Sequence, residues 1–320
     1  MASKLFVVIP CYNEEEVLPE TSKRLVKKMA ELEKKGLITP DSKVLLVNDG
    51  SRDRTWEMIC DLHKQNPMFE GVKLSRNRGH QNALLAGLMT AKGRCDVSIS
   101  MDADLQDDMD AMDRFLEKYE EGCEIVYGVR NKRDTDTFFK RETALMFYRL
   151  MKALGVDITF NHADYRLMSN RALEALSQFD EVNLFLRGLA PLVGFQSDVV
   201  YYDRSERFAG ESKYPLKKML AFAFDGITSF SIKPMRLILG LGAVIFAFSL
   251  IMLAWTLVDW ALGNTVSGWA SLMCSIWMIG GIQLRALGVI GEYIGKLYAE
   301  EKKRPRFIIE RVLNTENTEE

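Results

Sequence analysis

The chain has 320 residues, which is enough for one sizeable α/β domain with an appendage but not for several large domains. Its net charge of -2, without a long basic face, argues against nucleic acid as a partner. Five cysteines without metal-type spacing are typical of a reducing cytosol. The first residues lack the basic and apolar regions of a cleavable signal, so we expect the N-terminal half to stay in the cytosol.

The first half alternates short apolar runs with longer amphipathic runs, which is the pattern of a parallel sheet covered by helices. Strands are predicted at Leu5–Pro10, Lys43–Asn48, Gly71–Ser75, Val97–Met101 and Glu124–Gly128. Helices are predicted between them at Glu15–Lys35, Arg54–Gln65, Gln81–Ala91 and Met109–Glu121. Neither GxGxxG after the first strand nor GxxxxGK[ST] occurs, so dinucleotide-binding and P-loop interpretations lose their best evidence.

Polar residues follow the predicted strands, at the ends where open α/β sheets bind ligands. They are Asn13-Glu14, Asn48–Ser51, Arg76-Asn77 and Asp102–Gln106. The composition of Asn48–Ser51 also fits a plain tight turn. Its position at a strand end, like that of the acidic pair Asp102 and Asp104, favours a second role, in which Asp49 accepts hydrogen bonds from a base or ribose. Both interpretations stay open.

Asp102 and Asp104 are the candidate metal ligands. Alternation along an extended strand end places both on one side, and Gln106 continues the alternation as a neutral oxygen donor. Oxygen ligands of this kind suit Mg²⁺ or Mn²⁺, which keep coordination positions for substrate phosphates. The sequence therefore predicts a Mg²⁺ or Mn²⁺ site that neutralises and orients a diphosphate.

Other titratable residues near this pair are given ordinary roles. The acids that follow it are predicted to be first-turn helix residues, near the positive end of the helix dipole: Asp107, Asp108 and Asp110. The histidines are too dispersed to form a zinc site. His63 is predicted to be structural, in a surface helix. His80 and His162 lie beside candidate site residues and stay weak candidates.

The C-terminal half contains two long uncharged stretches. Leu237–Val258 would extend roughly 33 Å as a helix, against about 30 Å for a hydrocarbon core, and Val266–Leu284 is a second sufficient span. Trp255, Trp260 and Trp269 flank the intervening loop, as interfacial aromatic residues do. Lysine and arginine lie on the outer sides of both stretches, which predicts a membrane hairpin with both ends in the cytoplasm. Two buried core helices are the alternative.

Two segments beside the hairpin mix apolar and basic residues. Tyr214–Pro234 is predicted to be an amphipathic helix in the headgroup plane, and Arg285–Glu301 to be its counterpart. A connector packed on the soluble domain is the alternative for the first segment. Asn314–Glu320 is predicted to be a frayed polar tail.

Six motifs occur in order along the chain: Val8–Glu15, Val47–Ser51, Ser75–Gln81, Asp102–Asp107, Ala163–Met168 and Arg207–Tyr214. Together they resemble the inverting family 2 glycosyltransferases with a GT-A fold. The likeness is greater to the polyprenyl-phosphate glycosyltransferases, which include bactoprenol glucosyltransferases and dolichol-phosphate mannose synthases. It covers nearly the whole chain, including the two apolar stretches.

The resemblance implies a Rossmann-like, mostly parallel α/β sheet with helices on both faces, followed by interfacial helices and a two-helix transmembrane hairpin. The corresponding domains are a cytoplasmic catalytic domain at 1–213, a juxtamembrane amphipathic helix at 214–234, two transmembrane helices at 235–284, and a cytoplasmic C-terminal helix and tail at 285–320.

The resemblance also implies roles for individual residues. The nucleotide sugar is expected to contact Pro10, Tyr12, Asn13, Glu14, Asp49, Arg76, Asn77, Asp102 and Ala103. The metal ligands would be Asp102, Asp104 and Gln106, and the catalytic residues Asp164, at the catalytic-base position, and Arg207. The acceptor phosphate would meet Arg130, Arg141, Arg166, Ser212 and Lys213. Arg130 and Arg141 are equally well interpreted as ordinary surface arginines.

The implied reaction moves glucose from UDP-glucose to undecaprenyl phosphate with inversion, for modification of cell-envelope glycans. Mannose, galactose or an amino sugar are alternatives to glucose. The expected partners are the nucleotide sugar, the polyprenyl phosphate, the plasma membrane, further copies of the chain, and a downstream flippase and lipid-sugar-using transferase. A processive polysaccharide synthase, a nucleotidyltransferase and a catalytically silent membrane scaffold are the other functions considered; the first normally carries a QxxRW element, which this sequence lacks.

The chemistry raises a question about Asp164. In a single in-line displacement the acceptor oxygen attacks the anomeric carbon while the nucleotide diphosphate leaves. A lipid monophosphate has a second pKa of roughly 6 by analogy with phosphoserine, so near neutrality it is mostly dianionic and scarcely needs a base. We therefore expect Asp164 chiefly to orient Arg166 or the acceptor and to stabilise the oxocarbenium-like centre.

Overall fold

The computed structural model describes residues 2–130, 162–182, 186–203, 233–262 and 268–314. These residues divide into two compact units. One unit contains a β-sheet with its helices and also includes the residues after Lys303. The other contains the two long C-terminal helices up to Lys303. Each unit is described separately below.

Four parallel strands form the centre of the sheet, with β1 in the middle. They are β1 (Leu5–Cys11), β2 (Lys43–Asn48), β3 (Phe69–Leu74) and β4 (Val97–Ser100). β1 pairs with β2 and β4, and β2 pairs with β3, all in parallel. All seven residues of β1 are buried, because a central parallel strand is covered on both faces. The predicted strands are confirmed here, with ends displaced by one or two residues.

Helices cover both faces of these strands, as predicted. They are α1 (Leu18–Lys34), α2 (Thr55–Gln65), α3 (His80–Ala91) and α4 (Ala111–Glu120). Leu5, Val7 and Ile9 belong to the core that α1, α2 and α4 complete. Val8 points the other way, towards α3, where a Cβ added to Gly87 would lie 2.3 Å from Val8 Cγ1. Glycine at this position therefore allows α3 to lie close against the sheet.

α1 begins three residues later than the sequence pattern predicted. Pro19 lies in its first turn, where proline fits because no N–H is needed there. The residues before it are used elsewhere: the Glu15 amide donates to Asp53 Oδ2, and Glu15 Oε2 accepts from the Arg54 amide. These contacts join the loop after β1 to the loop after β2.

The sheet is mixed: four of its seven described strand pairings are parallel, in keeping with the prediction, and three are antiparallel. In the described residues its order is β7-β5-β6-β4-β1-β2-β3-β8. The added strands are β5 (Ile125–Arg130), β6 (His162–Ser169), β7 (Ser197–Tyr202) and β8 (Ile309–Leu313). β6 is antiparallel to both β4 and β5, and β8 is antiparallel to β3. Because β6 pairs with β4, the residues around 164 lie near the end of β4.

The strand β8 was not predicted, because the sequence suggested only a helix and a polar tail after the hairpin. It pairs with the edge strand β3, and Lys73 Nζ lies 2.7 Å from Glu310 Oε1. Arg78 donates to the Pro305 carbonyl at 3.2 Å. The C-terminal segment thus covers the sheet edge and contacts the loop that follows β3.

Two short helices complete the first unit in the described residues: α5 (Asn170–Leu176), which is capped by the Ser169 hydroxyl, and α6 (Leu186–Leu192). The second unit contains α7 (Lys233–Ala261) and α8 (Trp269–Glu301), of 29 and 33 residues. α8 continues without a break through Leu284, so the predicted helix Arg285–Glu301 is its second half. Among the described residues, no helix combines the length and the hydropathy that crossing a membrane requires. Most of the predicted helix Tyr214–Pro234 lies outside the described residues.

Candidate active site

The loops after β1 and β2 are joined by hydrogen bonds at the carboxyl ends of the strands. The Asn13 amide donates to Ser51 Oγ at 3.1 Å, and Asn13 Oδ1 accepts from the Arg52 amide at 2.9 Å. The Glu14 amide donates to Thr55 Oγ1 at 2.9 Å. Asn13 has a φ of 55°, a left-handed conformation that asparagine tolerates better than most residues. The structure therefore brings the two predicted donor-binding motifs side by side.

Asp49 joins this pair of loops to a third one. It is buried, and its oxygens accept hydrogen bonds from the Arg78 and Gly79 amides at 2.7 and 2.9 Å. Burial raises the pKa of Asp49, and these two hydrogen bonds oppose the increase. Asp49 thus fixes the loop between β3 and α3, a role that the sequence did not suggest. Its predicted contact with a nucleoside stays a prediction.

The other predicted donor-binding residues lie in these loops or at the neighbouring strand ends. Tyr12, Arg76 and Asn77 are exposed, and Asn77 Oδ1 accepts from the Gly79 amide. Pro10 lies in β1 and Ala103 follows β4, and both residues are buried.

Asp102 and Asp104 follow β4, and Asp102 lies beside His80 at the start of α3. Asp102 Oδ1 is buried and lacks a hydrogen-bond partner among the described residues, although His80 Nε2 lies 3.4 Å away. Burial, together with the charges of Asp107, Asp164 and Asp104, raises the pKa of Asp102 to about 6 against the opposing effect of His80. Asp104 Oδ1 accepts from the Gln106 amide at 3.2 Å.

This arrangement fits the divalent cation predicted from the sequence. In the part of the chain that the structure describes, no three acidic, histidine or cysteine side chains form a group that could hold a metal. Mg²⁺ and Mn²⁺ need fewer protein ligands than that, because substrate phosphates and water complete their coordination. The orphaned oxygen of Asp102, among several carboxylates, is the group that such a cation would satisfy.

Asp164 lies in β6 and is surrounded by cationic side chains. Arg166 Nη2 donates to Asp164 Oδ1 at 2.9 Å, and Arg187 donates from Nε and Nη2 at 3.2 and 3.0 Å. His80 Nε2 lies 3.6 Å from Asp164 Oδ2. Burial alone would raise the pKa of Asp164, but Arg187, His80 and Arg166 outweigh it and hold the pKa well below its ordinary value. At neutral pH this carboxylate is a poor proton acceptor.

Sequence reasoning did not identify Arg187. A usable signal existed, because this arginine stands within the apolar run Phe185–Leu189, and a charged residue in such a run needs a partner. His80 was only a weak candidate, and the structure places it between Asp102 and Asp164. The pKa of His80 is raised, because Asp164 and Asp102 outweigh the opposing effect of burial.

Arg166 is almost completely buried, with only 2% of its side chain exposed. Its second terminal nitrogen, Nη1, donates to the Leu186 carbonyl at 3.1 Å. These contacts agree with the expectation that Asp164 orients Arg166. The predicted contact between Arg166 and the acceptor phosphate stays a prediction.

The prediction that Asp107 is an ordinary first-turn acid is wrong. α4 begins only at Ala111, and Asp107 is buried with 4% exposure. Its Oδ1 accepts from Tyr202 Oη at 2.6 Å and from Arg130 Nη2 at 3.4 Å. A carboxylate at this depth requires such partners, and Arg130 is therefore not an ordinary surface arginine.

Some predicted residues are not tested by the structure. Arg141, Arg207, Ser212 and Lys213 lie outside the described residues, as does the side chain of His162. His63 has the structural role that was predicted, because its Nδ1 lies 2.6 Å from the Phe69 carbonyl oxygen.

Two families match this chain: glycosyl transferase family 2 over residues 6–177, and the GtrB C-terminal hairpin over residues 233–297. The first match covers more than half of the sequence, and the protein belongs to glycosyl transferase family 2. The resemblance seen in the six motifs is confirmed, and the hairpin match lies in the region where the sequence predicted two helices.

Similar proteins match over nearly the full length. The uncharacterized glycosyltransferase YkoT of Bacillus subtilis is 55% identical over 96% of this chain and 91% of its own. The prophage bactoprenol glucosyl transferase homolog of Escherichia coli is 40% identical over 97% of this chain and 99% of its own. The bactoprenol glucosyl transferase of Shigella phage SfV is 39% identical over 96% and 98%. Among solved structures, the mannosyltransferase PcManGT of Pyrobaculum calidifontis, in complex with GDP-Man and Mn²⁺, is 15% identical over 95% of this chain and 87% of its own, with a TM-score of 0.47.

Proposed function

We propose that the protein transfers glucose from UDP-glucose to undecaprenyl phosphate, with inversion at the anomeric carbon. The observation that carries this proposal is the similarity to bactoprenol glucosyl transferases, which extends over 96% or more of the chain and thus includes both the sheet and the hairpin. The site supports this proposal. Sugar transfer between two phosphate-bearing substrates needs acidic and cationic groups, and both kinds lie at the strand ends.

The donor would bind along the joined loops after β1, β2 and β3. Asp102, Asp104 and Gln106 would hold Mg²⁺ or Mn²⁺, which supplies charge neutralisation to the diphosphate as it leaves. Arg76 and Asn77 present exposed side chains at the same strand ends, and Asp49 keeps their loop in position. Mannose, galactose or an amino sugar in place of glucose would use the same site.

Asp164 would act as an orienting carboxylate rather than as a general base. Its lowered pKa makes it a weak base, and the dianionic acceptor needs none. Its negative charge instead holds Arg166 and Arg187, and we expect it also to stabilise the centre where positive charge develops. If Asp164→Asn were rescued by raising the pH, as expected for a missing proton acceptor, the base role would be preferred.

We place the enzyme at the plasma membrane as a two-span protein, with the catalytic domain and both ends in the cytoplasm. The proposal rests on the sequence of the two uncharged stretches, Leu237–Val258 and Val266–Leu284, which have tryptophans around the loop between them and basic residues on their outer sides. A hairpin of this kind can associate with further copies. The product, a sugar on a lipid phosphate, would be consumed by a flippase and a lipid-sugar-using transferase.

The test is direct. The purified full-length chain in detergent receives a panel of nucleotide sugars, undecaprenyl phosphate, and Mg²⁺ or Mn²⁺. Mass spectrometry identifies the lipid product, and NMR gives its anomeric configuration. A single sugar on the lipid phosphate with inverted configuration is the expected result. A polysaccharide, a retained configuration or the absence of any glycolipid with every donor would contradict the proposal.

A further inference from the structure

The loop after β4 carries the acidic pair, and its backbone reverses sharply there. Leu105 has a φ of 59°, in the left-handed region that leucine rarely adopts. Leu105 is 5% exposed, and the Gln106 amide that follows it donates to Asp104 Oδ1 at 3.2 Å. A residue keeps such a conformation only where the surrounding structure fixes it, and residues of this kind cluster at functional sites. The loop therefore needs anchors from other parts of the fold.

Thr21 provides one of these anchors from α1. It is completely buried, and its Oγ1 lies 2.9 Å from the Ala103 carbonyl oxygen and 3.0 Å from the Val17 carbonyl oxygen. A hydroxyl group has one proton to donate, and a carbonyl oxygen has two lone pairs. The Val17 oxygen already accepts from the amides of Glu20 and Thr21, both at 3.1 Å. The Thr21 hydroxyl proton is therefore directed to Ala103.

The Ala103 carbonyl depends on this contact. Ala103 is 4% exposed, and within the part of the chain that the structure describes its oxygen accepts its hydrogen bond from Thr21. This oxygen belongs to the planar peptide group that joins Ala103 to Asp104. A buried carbonyl that lost its donor would have to turn to find another. Thr21 therefore sets the orientation of the backbone between Asp102 and Asp104.

We propose that Thr21 is a positioning residue of the metal site, because its hydroxyl group holds the Ala103 carbonyl and so keeps Asp102 and Asp104 in the geometry that the cation requires. This inference rests on the proposed function, in which these two carboxylates bind the donor metal. Mg²⁺ demands nearly ideal geometry from its ligands. Asp102 Oδ1 is buried without a hydrogen-bond partner among the described residues, so its direction depends on the backbone that carries it.

The test measures UDP binding to the full-length chain in detergent by calorimetry, with and without Mn²⁺. Thr21→Val replaces the hydroxyl group by a methyl group of similar size. With Mn²⁺, its Kd for UDP should be about tenfold higher than that of the wild type, the typical effect of one lost buried hydrogen bond. Without Mn²⁺, the two Kd values should agree within about twofold. Thr21→Ser keeps the hydroxyl group, and its Kd with Mn²⁺ should lie within about threefold of the wild type.

Thr90→Val is the matched control. Thr90 Oγ1 donates at 2.8 Å to the Ala86 carbonyl, four residues earlier in α3. The substitution is the same and also removes a hydroxyl group from a helix, but not the one that holds the loop after β4. Thr90→Val should leave both Kd values unchanged.

Three results would overturn the inference. If Thr21→Val binds UDP with Mn²⁺ within about twofold of the wild type, the hydroxyl group does not position the metal site, whatever happens to the thermal midpoint. An equal loss of UDP affinity with and without Mn²⁺ would show general damage to the donor site. If Thr21→Ser binds as weakly as Thr21→Val, the hydroxyl group is not the group that acts.

The wild type tests the metal assignment of the proposed function separately. Mn²⁺ should lower the wild-type Kd for UDP. If Mn²⁺ leaves that Kd unchanged, the metal assignment fails, and this inference fails with it. If Mn²⁺ lowers the Kd equally in the wild type and in Thr21→Val, the inference alone fails.

Discussion

The close approach of two loops at Gly50 gives a sharp test of how the donor site is built. Gly50 has a φ of +63°, and a Cβ added there would lie 2.5 Å from the Asn77 backbone nitrogen and 2.7 Å from the Arg76 carbonyl carbon. Both atoms belong to the backbone, so no side-chain rotation can relieve the overlap. Gly50→Ala should therefore push the loop after β2 away from the loop after β3.

The size of the effect follows from two contributions. The left-handed conformation costs a non-glycine residue roughly 1–2 kcal/mol. Separation of the loops would also stretch the hydrogen bonds from Arg78 and Gly79 to Asp49, each of which contributes about 1.5–3 kcal/mol as a bond to a charged group. We expect Gly50→Ala to lower the free energy of unfolding of this unit by about 3 kcal/mol and the affinity for UDP by roughly tenfold.

Gly36→Ala separates these two contributions. Gly36 has a φ of +70°, and a Cβ there would meet no atom within 4 Å. This variant should show the conformational cost of roughly 1–2 kcal/mol and unchanged UDP affinity. Thermal or denaturant unfolding followed by tryptophan fluorescence, with calorimetry for UDP, gives both quantities. Equal effects of the two substitutions on UDP affinity would refute the reasoning, because they would show that the contact between the loops does not matter.

Three further predictions concern the acidic cluster. Asp164→Asn should destabilise the protein by about 3 kcal/mol at neutral pH, because Arg166 loses its buried charged partner. The folded-state pKa of Asp164 is lowered. In pH-dependent unfolding, the greater stability of the wild type should therefore persist above about pH 4 and vanish as the pH falls through that lower pKa. Tyr202→Phe should cost about 1 kcal/mol in unfolding assays, because it removes the hydroxyl that donates to Asp107, and an unchanged stability would contradict the buried hydrogen bond. Chelation by EDTA should abolish glycolipid formation and added Mg²⁺ or Mn²⁺ should restore it, whereas Asp102→Asn combined with Asp104→Asn should not be restored; full activity of that double variant would contradict the ligand assignment.

The central strands were readable from the sequence because their burial is decided locally. Every residue of β1 and nearly every residue of β2 is covered, and such strands are short apolar runs bounded by polar turns. The ends of β1–β4 also carry the motifs, so the edge of the sheet that binds ligands could be predicted as well.

The outer strands depend on partners that are distant in the chain. β8 is half-exposed and contains charged residues, and its ion pair from Glu310 to Lys73 spans 237 positions. Its apolar residues Ile309, Val312 and Leu313 are interrupted by Glu310 and Arg311, and this short pattern does not indicate which strand it pairs with. The same limit applies to Asp107: five aspartates stand between 102 and 110, and only the distant Tyr202 and Arg130 distinguish this one from a solvated helix acid.

The two central carboxylates of the site share one buried edge and a histidine, yet their pKa values move in opposite directions. Asp102 has acidic neighbours, burial raises its pKa to about 6, and one of its oxygens is without a hydrogen-bond partner in the described residues. Asp164 has Arg187 and Arg166, and its pKa is held well below the ordinary value. A carboxylate that already has its cations is suited to hold them in place, whereas one that lacks a cation is suited to bind one. The difference supports the proposed roles, a metal ligand for Asp102 and the orientation of arginines for Asp164, because neither carboxylate has the neighbours that the other role requires.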